Sequence, residues 1–238
     1  MDVRLVVPVV SWLVILISLV GWSNGQGTTL CSKPADVGIV LDASGSIGKK
    51  RWKQVVRFTQ TLVNAFNVSD KGSHVAVLLY ATKTKIEVGF NTFSGDDWTP
   101  DNINQRIAAV NYNDWKGLTY IDRGLKKANE ELFTYENGMR RDKKIEKILI
   151  LFTDGKQTKN RDPYTELKDA ARPLKDKGID IYALAVGTPE KIDVPELRGM
   201  ASKAENVYTA KTFDELEPLA IRITQATCDI QLRSVSID

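Results

Sequence analysis

Histidine is almost missing from this 238-residue chain: His74 is the only one. General bases are most often histidine, so a single ring at the start of a strand pattern argues against hydrolytic chemistry and reads as structural. Other catalytic signatures are missing too. No Gly-x-Gly-x-x-Gly or Walker sequence follows an apolar run, which removes the common nucleotide-cradling loops, and no serine sits in a nucleophile elbow. A phosphoryl-transfer aspartate site would carry a second acid where this chain has serine. Charge of one sign is also lacking. The net charge of +3 is too small to point to nucleic acid or to a membrane surface. No internal repeat or low-complexity segment occurs. The chain reads as non-enzymatic.

Long hydrophobic runs are confined to the N-terminus. Leu5 to Val20 follows Arg4, is short for a membrane span, and leads into the small residues Ser23-Asn24-Gly25. Residues 1–25 therefore read as a cleaved signal peptide, leaving a secreted chain with no membrane span; a retained signal anchor is the alternative. Cysteine is equally scarce. Cys31 and Cys228 bracket the patterned region and are expected to pair in an oxidising compartment. Asn67-Val68-Ser69 is a glycosylation sequon at the expected end of the first helix.

What is present is concentrated in Asp36 to Gly48. Val37 to Leu41 is a continuous apolar run of the kind shown by a strand buried on both faces. It breaks into a small-residue loop with Asp42, Ser44 and Ser46 at alternating positions, so three oxygens can converge on one point. One acid with two hydroxyls suits a hard, partly hydrated dication, Mg²⁺ or Mn²⁺ more than Ca²⁺. The competing reading is a helix-capping loop with Ser46 as N-cap. Two further stretches favour the metal. Ile148 to Phe152 is a second buried-strand pattern and runs into Asp154-Gly155, while Gly117-Leu118-Thr119 places a hydroxyl before an amphipathic segment. In open α/β sheets, ligands sit at the carboxyl ends of strands.

The remaining pattern alternates strands with helices. Lys49–Phe66 has helical spacing; His74–Tyr80 is a buried strand; Lys83–Phe90 alternates like an edge strand. Thr99-Pro100 opens a short helix through Val110, and Thr119 to Tyr135 forms a long one. Asp162-Pro163 starts a helix that Pro173 should kink and Gly178 stop. Ile179–Val186 is a strand, Asp193 caps a short helix to Lys203, and Asn206–Thr209 is a small strand. A capping box at Thr212 opens a last helix to about Thr227. The fold expected is α/β: a doubly wound, mainly parallel sheet with one antiparallel edge strand and helices on both faces. The domain spans residues 36–228, after a lead-in at 26–35 and before a tail at 229–238.

Asp42-x-Ser44-x-Ser46, then Thr119, then Asp154-Gly155, resembles the metal-ion-dependent adhesion site of von Willebrand factor type A domains, the family that includes integrin I domains. The likeness extends over Asp36 to Cys228. The three loops are specific in their order and approximate spacing together, none of them alone. One departure is Gly117-Leu118-Thr119 where the family usually has Gly-Gly-Thr.

The resemblance implies a Rossmann-like fold and a metal set of Asp42, Ser44, Ser46, Thr119 and Asp154, holding Mg²⁺ (or Mn²⁺). It further implies a secreted extracellular-matrix adhesion module, in which the metal bridges to a Glu or Asp of a protein ligand. Trp115, Lys116, Tyr120, Lys159 and Arg161 would rim that face. Collagen-binding I domains carry an extra helix for which Gly187–Asp193 is too short, so collagen is not the favoured ligand. A structural matrix component, mineral-associated in one version and not using the metal for adhesion, is the alternative. The last helix shifts in switchable members of the family, and a Cys31–Cys228 bond would restrain it here to one dominant state. The basic run Arg140, Arg141, Lys143, Lys144, Lys147 falls at the opposite sheet end and reads as a solvated face, with heparin-like polyanion binding as the second reading.

Overall fold

The computed structural model describes residue 31 and residues 33–161 and 163–228. The expected signal peptide, most of the lead-in and the 229–238 tail lie outside the described residues. Among those described, no helix is long and apolar enough to cross a membrane.

Six strands form one sheet: β1 (Ala35–Asp42), β2 (His74–Tyr80), β3 (Thr84–Val88), β4 (Glu146–Thr153), β5 (Asp180–Val186) and β6 (Val207–Ala210). Their spatial order is β3-β2-β1-β4-β5-β6. Only the β2–β3 pair is antiparallel. The continuous apolar runs have their cause in this position. Every residue of β1 and β2 is buried, because helices cover both faces. β3, at the edge, keeps Lys85 exposed.

The helices divide into two layers. α1 (Gly48–Ala65), α2 (Pro100–Ala108) and α6 (Leu216–Thr227) pack through Phe58, Ile103 and Ile223 on the face that presents Ile39, Leu41 and Phe152. α3 (Ile121–Lys127), α4 (Leu167–Asp176) and α5 (Val194–Met200) pack through Leu125, Leu174 and Leu197 on the face that presents Val40, Leu149 and Leu151. Successive residues of β1 thus serve opposite layers, as the period-two geometry requires. Gly38 is where the second layer comes closest: a Cβ there would lie 2.6 Å from the Phe133 ring.

Several boundaries differ from the sequence reading, each for a local reason. Ser46 does not cap α1; Ile47 holds that position and makes no side-chain cap. Gly48 N instead donates to the Tyr112 hydroxyl at 2.8 Å, which frees Ser46. The long helix expected to Tyr135 stops as α-helix at Lys127 and continues as a π-turn, Ala128–Leu132. α4 starts at Leu167 and continues past Pro173 to Asp176. The last helix is preceded by a 3₁₀ turn, Phe213–Glu215. Thr99 caps α2 by accepting from Asn102 N at 3.2 Å, ahead of Pro100.

Cys31 and Cys228 form a disulfide, with Cα atoms 5.4 Å apart, joining the start of the described chain to the end of α6. Part of the basic run is internal, not solvated. Arg140 Nε donates to Asp36 Oδ1 at 2.7 Å, and Lys147 Nζ lies 3.2 Å from Oδ2, around a carboxylate with no exposure. A buried charge demands such partners.

Candidate metal centre

The register of the sheet carries the two acids to one edge. β1 pairs with β4 so that Leu41 faces Phe152, which leaves Asp42 and Asp154 at adjacent strand ends. The chain then turns through Ala43 to Ile47, and Gly45 N donates to Gly117 O at 3.0 Å, drawing in the loop with Thr119. Thr158 N donates to Thr119 O at 2.9 Å and joins that loop to the one after Asp154.

Five side chains meet there. Ser44 Oγ lies 3.0 Å from Ser46 Oγ, and Thr119 Oγ1 donates to Ser44 Oγ at 3.2 Å. Ser46 Oγ donates to Asp154 Oδ1 at 2.5 Å. Asp42 Oδ1 accepts from Ser44 N at 2.8 Å and its Oδ2 accepts from Thr153 Oγ1 at 2.8 Å. All the donors are oxygen. Among the described residues, no group of three or more His, Cys, Asp or Glu could hold a metal, so a cation here relies on hydroxyls beside two carboxylates.

Burial pushes the Asp42 carboxyl up to about 6, against the hydrogen bonds from Ser44, and nearby Asp154 adds to the rise. Burial likewise raises Asp154, opposed by Ser46, Arg51 and Lys191. Among the described residues, two acids so placed lack a counter-charge of comparable proximity; Arg51 reaches Asp154 Oδ2 only at 3.9 Å. A dication suits this arrangement. Neighbouring oxygens around one octahedral Mg²⁺ at about 2.0–2.1 Å stand about 2.9 Å apart, close to the hydroxyl spacings here. Those residues fit the ion.

The supporting residues were largely invisible in the sequence. Thr153 stands next to Asp154, yet its hydroxyl serves Asp42. Tyr112 donates to Ser44 O at 2.6 Å while stacked on Trp52 at 5.4 Å. Asp122 organises the third loop, accepting from Gln157 Nε2 at 2.6 Å, from Thr165 N at 3.2 Å and from Arg161. Gln157 Oε1 in turn accepts from Ile121 N at 2.6 Å, at the start of α3. Lys116 is the one non-glycine residue at positive φ, 144°, among those described. It precedes Gly117, where a Cβ would meet Thr82 Oγ1 at 2.3 Å. Strain of this kind concentrates at functional sites.

The expected rim needs correcting. Lys116 and Lys159 are exposed, Lys159 Nζ lying 3.1 Å from Glu196. Trp115 and Tyr120 are buried and hold the loop from beneath. Lys83 covers the Trp115 ring at 4.9 Å, and Arg161 and Arg123 lie over Tyr120 at 4.0 and 4.6 Å. Large rings gain more from burial than from solvent. Leu118, 47% exposed, is the apolar rim residue instead. His74 starts β2, six residues from Tyr80 and the cluster, stacked on Trp98 at 4.1 Å.

Residues 36–221 match the model of the von Willebrand factor type A domain. The chain belongs to that family. The type A domain here is 29% identical over 211 residues to matrilin-3 of Mus musculus, covering 87% of this chain and 41% of that one. It is 33% identical over 193 residues to the collagen alpha-5(VI) chain of Homo sapiens, covering 81% and 7%. The chain thus spans less than half the length of these relatives. Among solved structures, proximal thread matrix protein 1 from the mussel byssus superposes with a TM-score of 0.74 at 26% identity, covering 84% of this chain and 48% of that one. A further structure of that mussel protein has zinc in the adhesion-site motif, so a type A domain of this shape holds a divalent metal. The fold is that of the type A family, mostly parallel with one antiparallel strand.

Proposed function

We propose that this type A domain is a secreted, non-enzymatic adhesion module of the extracellular matrix that binds a protein ligand through Mg²⁺ or Mn²⁺ at Asp42, Ser44, Ser46, Thr119 and Asp154. The observation that carries this reading is the meeting of three hydroxyls and two buried acids at one sheet edge, from three loops whose contacts span 75 and 108 residues of sequence. Bound there, the metal would supply an electrophilic centre to which a partner's Glu or Asp carboxylate attaches.

The surrounding residues suit an acidic partner. A groove of about 360 Å³ beside Asp154 is lined by Lys50, Arg51, Lys191 and Lys211, against Asp154 and Asp214 as its acids. Lys116, Leu118 and Lys159 would complete the contact surface, while Arg161 is held inward by Asp122. The connection from Gly187 to Asp193 is a turn, closed by Lys191 N donating to Thr188 O at 2.8 Å, and holds no extra helix before α5. Collagen is therefore not the ligand we favour. Asn67 is exposed in its sequon and available for a glycan.

Solid-phase binding to extracellular-matrix proteins with Mg²⁺ and with EDTA tests the proposal. Binding that disappears in EDTA and in Asp154→Ala supports adhesion through the metal. Binding indifferent to both would favour a structural matrix role.

A further inference from the structure

At the sheet edge opposite the hydroxyl–carboxylate cluster, an open groove of about 790 Å³ lies between the connection before β4, the turn after α4 and the last turn of α6. Seven cationic and three acidic side chains line it. This one groove therefore has an excess of four positive charges, where the whole chain has three. Including Asp36, which Arg140 and Lys147 enclose behind the groove, still leaves three.

Internal structure uses only some of these cations. Arg140 and Lys147 serve Asp36, and Lys177 Nζ donates to the main-chain oxygens of Asn129 at 2.5 Å and Phe133 at 3.3 Å. The acids are engaged as well. Asp142 accepts from Lys144 N at 2.8 Å, Asp180 accepts from Asn206 and Tyr182, and Glu146 faces Lys33 at 3.8 Å. Arg141, Lys143 and Lys203 are exposed and make no ion pair with the described residues. The Arg141 guanidinium lies 3.9 Å over the half-exposed Tyr135 ring, which orients it and leaves its N–H donors free of carboxylate.

We infer that this groove binds a sulfated polysaccharide. Sulfate esters stay ionised at every physiological pH and repeat along the polymer, so cations spread over an open groove meet several at once. A small anion would need an enclosed set of donors, which exposed lysines do not make. The Cys31–Cys228 bond beside this edge suits an oxidising compartment, where nucleic acid is not the polyanion encountered. The groove and the metal edge lie at opposite ends of β4, about 23 Å apart by strand rise, so the two sites bind independently.

Heparin is the probe, immobilised for surface plasmon resonance against the full chain in EDTA. Binding should be present at low salt and weaken as salt rises, because exposed charges are screened. The triple variant Arg141→Ser, Lys143→Ser, Lys203→Ser should bind at least about tenfold more weakly. A charge-matched control, Lys53→Ser, Lys126→Ser, Lys168→Ser, should stay within about twofold of the parent. All six side chains are exposed, and equal melting temperatures would verify that both variants fold. Absence of heparin binding at low salt, equal loss in the two triples, or equal affinity for polyglutamate would each overturn the inference. EDTA in the buffer keeps its failure separate from failure of the metal-site proposal.

Discussion

Thr153 Oγ1 donates to Asp42 Oδ2 at 2.8 Å, tying the last residue of β4 to the last residue of β1 across 111 positions of sequence. Both groups are buried, so losing the donor leaves a carboxylate oxygen without a partner. Thr153→Val should lower stability in EDTA by about 1–3 kcal/mol and weaken Mg²⁺ binding by calorimetry. Thr153→Ser, which keeps the hydroxyl, should stay close to the parent. Equal effects from the two substitutions would show that packing, not the hydrogen bond, matters at this position.

The pH dependence follows from Asp42. Its carboxyl is raised by burial to about 6 from an ordinary 3.8. A raised acid contributes stability below its unfolded value and loses it as pH rises through the folded one, here between about 4 and 6. The metal-free protein should therefore lose about 3 kcal/mol from this group over that window. Mg²⁺ opposes the loss by neutralising the ionised pair, so its increment in melting temperature should be larger at neutral pH than at pH about 5. Identical increments would contradict the placement of the ion beside Asp42.

Asp42→Asn separates metal binding from folding. It removes the buried charge but keeps an oxygen for Ser44 N. In EDTA at neutral pH it should be at least as stable as the parent, by up to about 3 kcal/mol, while calorimetry detects no Mg²⁺ uptake. A variant that retained uptake would remove Asp42 from the metal set.

The disulfide closes a sequence separation of 197 residues. Chain-entropy reasoning puts its contribution at about 5 kcal/mol as an upper value. Reduction, or the double change Cys31→Ser and Cys228→Ser, should shift the urea midpoint down accordingly. It should also release the end of α6, so that NMR signals from Leu219 and Ile223 broaden only in the reduced protein. With the bond intact, one set of α6 signals is expected with and without Mg²⁺.

Arg140 reaches Asp36 twice, through its main-chain N at 2.9 Å and its Nε at 2.7 Å, and donates to Gly72 O and Ala35 O as well. Arg140→Ala removes the guanidinium from a fully buried carboxylate, leaving it the main-chain N–H of position 140 and Lys147, and should cost about 3–5 kcal/mol by denaturant titration. The double variant Arg140→Met, Asp36→Asn should recover most of that loss.

The apolar runs of β1, β2, β4 and β5 were legible because burial on both faces leaves no alternation to hide them. Asp42, Ser44 and Ser46 were legible for a similar reason: two-residue spacing after such a run points oxygens one way. The Cys31–Cys228 contact could be anticipated only as a pairing of two cysteines that were alone. Trp115 and Tyr120 show where that reasoning ends. Their position beside Thr119 suggested a contact surface, but whether an aromatic ring faces out or in depends on what lies beneath, and Lys83, Arg123 and Arg161 come from three other places in the chain. Arg140 is the same case with the sign reversed, a cation in a basic run that turns out to be the inner partner of Asp36.

The order of strands and helices, the oxygen-only donor set and the class of ion it suits are properties of neighbours in sequence, where backbone periodicity and side-chain chemistry act over a few residues. Which strands adjoin, and therefore that Thr153 supports Asp42, that Tyr112 braces Ser44 and that Asp122 holds Arg161, was decided only in three dimensions. Those contacts depend on sheet register and layer packing between segments 39 to 111 residues apart, distances over which local sequence carries no geometric information.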